Sequence, residues 1–219
     1  MPTGRELRLA PIARDQLAEV VALHARAFPD AALTAFGAGA VGRYYRWLLD
    51  GPHDAALVGA WQDGQGALVG FCAAGVFRGA MSGFLRAHRG YLAARILHHP
   101  GLALNPLIRD RIAAALRITL RFSRLARRPP AASSGGAPRP SFGVLSIATD
   151  PRVRGAGVGR ALMHEAEARA RRLGHARMTL TVHPDNARAV RFYEQLGWVC
   201  VRGPGAWAGA MVRDLGELA

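Results

Sequence analysis

The stretch from Ser141 to Leu173 constrains the fold more than any other part of the chain. It begins with a short apolar run of strand length, continues through a glycine-rich turn and ends in an amphipathic helix. Asp150-Pro151 ends the strand, because proline has no N–H to give to a sheet ladder. The first N–H groups of a helix have no partner inside it and lie at the positive end of its dipole. The stretch therefore predicts an anion site, best suited to phosphate.

The turn itself runs from Arg154 to Gly159 and has the sequence RGAGVG. Glycine adopts backbone angles closed to other residues and lets a ligand touch the main chain. The turn matches neither common nucleotide motif. A P-loop requires Gly-Lys-Ser/Thr, and this chain has no lysine. A dinucleotide fingerprint requires Gly-x-Gly-x-x-Gly and an acidic residue about 20 residues later. By itself, the sequence is also explained by a tight turn between packed elements.

A second segment, from Val182 to Trp198, narrows the interpretation of the turn. Together the two segments resemble the GCN5-related N-acetyltransferase superfamily. In that superfamily an Arg/Gln-x-x-Gly-x-Gly/Ala turn holds the pyrophosphate of acetyl-CoA, and a later Asn-x-x-Ala-x-x-(Phe/Leu)-Tyr-x-x-x-Gly-(Phe/Trp) helix flanks the pantetheine arm. The first motif is matched by Arg154, Gly157 and Gly159, and the second by Asn186, Ala189, Tyr193, Gly197 and Trp198. The resemblance covers residues 142–201.

The resemblance implies an α/β fold whose mixed, mostly antiparallel sheet splays at its centre and is flanked by helices. It implies acetyl-CoA as cosubstrate, with the pyrophosphate on the backbone of residues 154–160 and the pantetheine amides on the backbone of residues 147–149. The implied cofactor-binding residues are Ile147, Ala148, Thr149, Arg154, Gly155, Ala156, Gly157, Val158, Gly159, Arg160 and Asn186. Tyr193 matches the tyrosine that often protonates the departing thiolate. A phenol near its ordinary pKa of about 10 is a suitable acid for a thiolate whose thiol has a pKa of about 8.5, because the proton transfer is then close to balanced.

The general base is not identified by the sequence. Some superfamily members place a glutamate on the strand before the asparagine helix, where this chain has Thr179 and Thr181. Threonine cannot accept a proton at neutral pH. His183 is close in sequence, and histidine is a common general base, but His183 precedes Pro184 in a turn. Water that relays to bulk solvent and a base from the N-terminal helices stay open.

The N-terminal part of the chain predicts a strand, two helices and a hairpin. Leu7 and Leu9 lie on the first strand, and the two helices cover residues 17–28 and 41–49. Two apolar strands follow over residues 55–61 and 67–77. With the later segments, the element order β, α, α, β, β, β, α, β, α, β is the one that the resemblance implies.

His24, Tyr44 and Tyr45 lie on these two helices, which in the superfamily cover the acceptor site. Two interpretations follow. The three side chains line a substrate pocket, or they belong to the apolar faces of their helices, which periodicity alone explains.

The segment from Gly79 to Arg128 departs from a minimal acetyltransferase. Its pattern predicts two basic amphipathic helices, inserted at about residues 79–128 of a single domain over residues 1–219. A Pro-, Ser- and Gly-rich linker follows at about residues 128–141. The net charge of the chain is +14, and residues 78–128 hold 11 arginines and one acidic residue.

Three interpretations of this insertion compete. It is a helical hairpin with solvated arginines, a basic surface for anionic lipid or for an acidic acceptor such as a nucleotide-linked sugar, or a nucleic-acid site. Nucleic acid is least favoured, because no aromatic residues interleave with the arginines. Whether the insertion serves as a lid, a membrane contact or a homodimer interface stays open.

Composition excludes several other classes of protein. No apolar stretch reaches the 18 residues needed to span a bilayer, and no signal-peptide h-region follows Met1. We therefore expect a cytoplasmic chain, and the alternative is a chain that contacts the membrane surface peripherally. Cys72 and Cys200 lie in apolar surroundings that favour buried thiols over a disulfide. No His/Cys cluster has zinc spacing, so we expect no metal.

The sequence thus predicts transfer of an acetyl group from acetyl-CoA to a primary amine of a small molecule. Amino sugars come first among the acceptors and a protein N-terminus second. The rival prediction is a non-catalytic acyl-CoA sensor or a membrane-surface module.

Overall fold

The fold is organised around one sheet in a computed structural model that describes residues 7–62, 66–104, 141–202 and 206–216. The strands are β1 (Leu7–Pro11), β2 (Asp54–Gln62), β3 (Ala67–Val76), β4 (Phe142–Thr149), β5 (Arg177–Thr181), β6 (Val199–Cys200) and β7 (Ala210–Asp214). The helices are α1 (Leu17–Ala27), α2 (Ala32–Ala35), α3 (Ala38–Asp50), α4 (Ala80–Ala87), α5 (Arg89–His98), α6 (Gly101–Leu104), α7 (Val158–Arg172) and α8 (Ala187–Gln195). Short 3-10 turns cover Arg14–Gln16 and Pro151–Val153.

The strand order is β1-β2-β3-β4-β5-β7-β6, and the pair β4/β5 is parallel whereas the other neighbours are antiparallel. This confirms the predicted mixed, mostly antiparallel sheet flanked by helices. The last strand along the chain, β7, lies between β5 and β6, and the sequence pattern did not predict it.

The sheet opens at its centre because β4 and β5 stay together for only three residues. β5 pairs with β4 at Phe142, Gly143 and Val144, whereas β3 accompanies β4 as far as Thr149. A register shift in the β3/β4 pair falls beside Leu145, the first residue past the point of separation. Leu145 is 39% exposed although β4 is a central strand. We call the opening between residues 145–149 and β5 the β4–β5 gap.

Two apolar clusters cover the two faces of the sheet. One lies under α7 and α8 and includes the fully buried side chains of Phe142, Met163 and Met178. The other lies under α1, α3, α4 and α5 and includes Tyr45 and Phe71. Each such side chain contributes about 1.5–3 kcal/mol when it is taken out of water. The two clusters fix the helices on either side of the β4–β5 gap.

The N-terminal strand, the two longer helices and the hairpin are found as predicted, within two or three residues at their ends. The insertion differs in detail. Its first predicted helix is two helices, α4 and α5, because the backbone leaves the helical region at His88 (φ −113°). The second predicted helix beyond Leu104 and the predicted linker lie outside the described residues.

Two smaller expectations can be compared with the structure. Both cysteines are free thiols; Cys72 is buried, whereas Cys200 is only partly buried. Over the described ranges, no helix combines the length and the apolar character that a bilayer crossing requires.

Candidate functional site

A cleft of about 670 Å³ opens where the β4–β5 gap meets the N-terminus of α7 and one face of α8. The C-terminal end of α1 closes it with Ala27 and Phe28. The remaining lining comes from the two segments that the sequence singled out: Ile147, Ala148, Thr149, Val153, Arg154, Gly155, Gly157, Val158, Gly159, Arg160, Asn186, Arg188, Ala189, Arg191, Phe192, Tyr193 and Gln195. Residues more than 150 positions apart in the chain thus share one concave surface.

The glycine turn presents unpaired main-chain donors to this cleft. The first hydrogen bond of α7 runs from the Ala161 N–H to the Gly157 carbonyl (3.0 Å). Within the described part of the chain, the N–H groups of residues 158–160 therefore have no acceptor. Gly157 is the N-cap and has φ +79°, a left-handed conformation that favours glycine. A Cβ added there would meet no atom within 4 Å, so the space before the helix is open.

The gap edge of β4 offers a second row of backbone groups. Asp150 N–H donates to the Val69 carbonyl of β3 (2.8 Å), which makes this a hydrogen-bonded pair. Paired residues of antiparallel strands alternate between bonded and non-bonded pairs. Counting back along β4, the N–H and C=O groups of Thr149 and Ile147 point away from β3 and into the gap. An extended ligand with amide groups can pair with them as an added strand would.

Asp150 holds the start of the turn in place. Its carboxylate, 3% exposed, accepts the Arg152 N–H (3.0 Å) and two guanidinium bonds from the same residue (3.0 and 2.9 Å). A guanidinium nitrogen of Arg26 of α1 also lies 3.1 Å from this carboxylate. The hydrogen bonds from Arg152 lower the pKa of Asp150 far below its usual value, so the carboxylate stays charged. The turn is thereby tied to α1.

The α8 side of the cleft is set by a cap and by close packing. The Asn186 side chain accepts the Ala189 N–H (3.1 Å) and so caps α8. A Cβ on Gly159 would lie 3.3 Å from the Phe192 ring, so the Phe192 side chain of α8 packs closely against the first turn of α7. Tyr193, also in the lining, is nine-tenths buried.

The pKa of Tyr193 departs from the sequence prediction. Burial raises the pKa of this phenol well above the ordinary value that we expected. Burial acts on a thiol in the same region in the same direction, because it raises the pKa of Cys72 to about 12. Desolvation disfavours the charged form of both kinds of group.

Four arginines line the cleft: Arg154, Arg160, Arg188 and Arg191. No carboxylate lies within ion-pair distance of any of them among the residues that the structure describes. Their charge adds to that of the helix N-terminus, and the cleft is suited to a ligand with several negative charges.

A model of the acetyltransferase (GNAT) family matches residues 17–198 of the sequence. The chain belongs to this family. The match spans the two motifs and the N-terminal helices that complete the cleft.

Solved acetyltransferase structures share the fold at low sequence identity. The aminoglycoside N-acetyltransferase AAC(6')-Iy in complex with CoA superposes with a TM-score of 0.57 at 14% identity, over 94% of this chain and 97% of that one. PaiA N-acetyltransferase from Thermoplasma acidophilum, in complex with coenzyme A, gives 0.55 at 11% identity over 95% and 99%. The ribosomal-protein-S18-alanine N-acetyltransferase from Escherichia coli gives 0.54 at 14% identity over 98% and 96%. The sequence has no significant match among curated proteins.

The cleft brings together Tyr193 and the predicted cofactor-binding residues except Ala156, and Gly197 and Trp198 of the second motif lie outside its lining. Ala156 does not line it, because its N–H turns back to the Val153 carbonyl (3.2 Å). Arg188 and Arg191 were not predicted, although their i, i+3 spacing puts both on one face of α8 and was a usable signal. Ala27 and Phe28 gave no local signal, since only the packing of α1 beside β4 brings them to the cleft.

The candidate bases lie elsewhere. His183 is 70% exposed and its Nδ1 accepts the Asp185 N–H (3.3 Å), outside the cleft. Thr179 Oγ1 faces the Phe142 carbonyl (3.5 Å). His24, Tyr44 and Tyr45 are buried in the α1/α3 cluster and do not line the cleft.

Proposed function

We propose that this chain transfers the acetyl group of acetyl-CoA to a primary amine, with amine-bearing small molecules such as amino sugars as the first acceptor class and a protein N-terminus as the second. The observation that carries the proposal is that two sets of backbone groups without partners in the described part of the chain, those of residues 158–160 and those of Thr149 and Ile147, border one cleft. The first set suits a diphosphate and the second suits amide groups in an extended arm.

The residues present fit such a cosubstrate. The N–H groups of residues 158–160 would hold the pyrophosphate, with Arg154 and Arg160 beside it. The open space before Gly155 and Gly157 allows the phosphates to approach the main chain. Thr149 and Ile147 would pair with the pantetheine amides. When bound, the thioester supplies an activated acetyl group.

Tyr193 is the proposed general acid. In the reaction the amine nitrogen forms a bond to the acetyl carbon and loses a proton to solvent. The carbon–sulfur bond breaks, and the sulfur takes a proton from Tyr193, which solvent then replaces. Tyr193 lies at the cleft and stays protonated, because burial raises its pKa. Desolvation disfavours the charged form of a thiolate as well, so removal from water raises the proton affinity of both partners in the transfer.

Tyr193→Phe tests this role. We expect kcat to fall about 100-fold, with unchanged acetyl-CoA affinity by calorimetry. Turnover is measured as CoA thiol release with a panel of amines, and Tyr44→Phe is the matched control because Tyr44 is buried outside the cleft. A non-catalytic sensor binds acetyl-CoA and releases no thiol in either form. Equal turnover of Tyr193→Phe and wild type excludes the acid role.

A further inference from the structure

Three hydrogen-bonded side chains connect α1, α3 and β4 through the interior. His24 Nδ1 lies 2.9 Å from Tyr45 Oη, and Tyr45 Oη lies 3.1 Å from Ser146 Oγ. His24 is 6% exposed and Tyr45 is fully buried. Apolar residues of similar size would fill the same space without the cost of burying polar groups. The hydrogen-bonded chain therefore indicates a role other than packing.

The two hydrogen bonds that link His24, Tyr45 and Ser146 have a preferred donor-to-acceptor direction. Burial lowers the pKa of His24 to about 4, so the ring is neutral near pH 7 and carries one proton. Its Nε2 is buried without a partner among the described residues. A buried N–H without an acceptor is rarer and costlier than an unused lone pair, so we assign the proton to Nδ1. Then His24 donates to Tyr45, Tyr45 donates to Ser146, and the hydrogen of the Ser146 hydroxyl is left for another acceptor.

Ser146 lies at the part of the β4–β5 gap that the proposed cosubstrate leaves free. It directly precedes Ile147, the last residue whose backbone groups were assigned to the pantetheine arm. Ser146 is half-buried, with β3 along one edge of β4 and Tyr45 of α3 against its hydroxyl, and the other edge of β4 faces the gap. Leu145, the next residue back, is 39% exposed.

We propose that the Ser146 hydroxyl donates a hydrogen bond to an oxygen of the acceptor that is vicinal to the reacting amine, and that Tyr45 and His24 are positioning residues for it. The inference rests on the proposed acetyl transfer and narrows its acceptor class. Amino sugars, amino alcohols and the N-terminal residue of a peptide carry an oxygen near the amine, whereas simple alkylamines do not. An oxygen suits this hydroxyl because its free hydrogen needs a lone pair.

Two variants of equal size isolate the hydroxyl: Ser146→Thr keeps it and Ser146→Val removes it. Two acceptor pairs isolate the oxygen: glucosamine against cyclohexylamine, and alaninamide against isopropylamine. We expect wild type and Ser146→Thr to prefer glucosamine or alaninamide over the alkyl analogue. Ser146→Val loses about 3- to 10-fold in kcat/KM for the oxygen-bearing acceptor, through acceptor KM, and nothing for the analogue. The pair that shows the preference tells a sugar-like acceptor from a peptide-like one.

Tyr45→Phe tests the positioning role, because it removes one oxygen and leaves the ring. We expect it to reduce the preference for the oxygen-bearing acceptor, and Ser146→Val to add little further loss in that background. Tyr45→Phe also tests the proposal if threonine does not fit at position 146. A merely structural role instead lowers activity with both members of an acceptor pair, or raises the KM for acetyl-CoA.

The outcomes distinguish a failure of this inference from a failure of the proposed acetyl transfer on which it rests. If wild type binds acetyl-CoA but acetylates no amine, the proposed transfer fails and the acceptor assignment falls with it. Two results with an active wild type overturn only the role of Ser146. One is an equal kcat/KM of Ser146→Val and Ser146→Thr with both oxygen-bearing acceptors. The other is a wild type that prefers the alkylamine in both acceptor pairs.

Discussion

Gly157 and Gly209 have similar backbones in very different surroundings. Both are left-handed, with φ +79° and +88°. A Cβ on Gly209 would collide with the Val182 carbonyl oxygen, while a Cβ on Gly157 would meet nothing within 4 Å. The Gly209 carbonyl accepts the Val182 N–H (2.9 Å), so this turn is joined to the end of β5. The turn at Gly157 faces the open cleft.

The difference separates two reasons for a glycine. At Gly209 the protein itself occupies the space that a side chain would take, so the residue is required for folding. At Gly157 the space is kept clear beside unpaired N–H donors, which is what a closely approaching ligand requires. Substitutions at the two positions are therefore expected to fail in different assays.

The largest effect is expected for Gly209→Ala. The free energy of unfolding should fall by about 3 kcal/mol or more, because a strained φ adds to a collision with main chain that cannot move aside. Chemical denaturation measures it. Gly216→Ala is the control, since Gly216 has φ +79° and open space around it, and should cost about 1 kcal/mol. Equal losses at the two positions would remove the distinction between packed and open glycines.

Gly157→Ala should act mainly on ligand binding. We expect acetyl-CoA affinity to fall about 10-fold or more, since a methyl group then stands beside the donors of residues 158–160. Gly174→Ala is the matched control: it lies just past the other end of α7, with φ +76° and open space. Both variants should lose about 1 kcal/mol of stability. Titration calorimetry that finds unchanged affinity in Gly157→Ala contradicts the assignment of the cleft.

Asp150→Asn should give the smallest of the three effects. We expect the Kd for acetyl-CoA to rise about 5-fold, because the neutral amide holds Arg152 and Arg26 less firmly and the turn before α7 loosens. Asp214→Asn is the control, as it removes a carboxylate that pairs with Arg177 in an exposed position. A larger loss of affinity in the control than in Asp150→Asn argues against a link between α1 and the turn.

Local pattern predicted much of this molecule. The glycine turn, the asparagine cap of α8 and the hairpin of β2 and β3 each depend on residues close together in sequence, so their spacing carried the information. The sequence pattern failed where residues distant in sequence determine the local secondary structure. His88 interrupts a helix that apolar periodicity continued, and β7 is a strand because β5 and β6 flank it.

The sequence by itself determined the family, the position of the glycine turn and the residues of the two motifs, since all of these are local. Only the tertiary structure decided that β5 leaves β4 after Val144, that Arg26 meets Asp150, and that His24 reaches Ser146 through Tyr45. The physical reason is chain separation: Tyr45 and Ser146 lie 101 residues apart, and no periodicity reports a contact that packing of helices on a sheet creates.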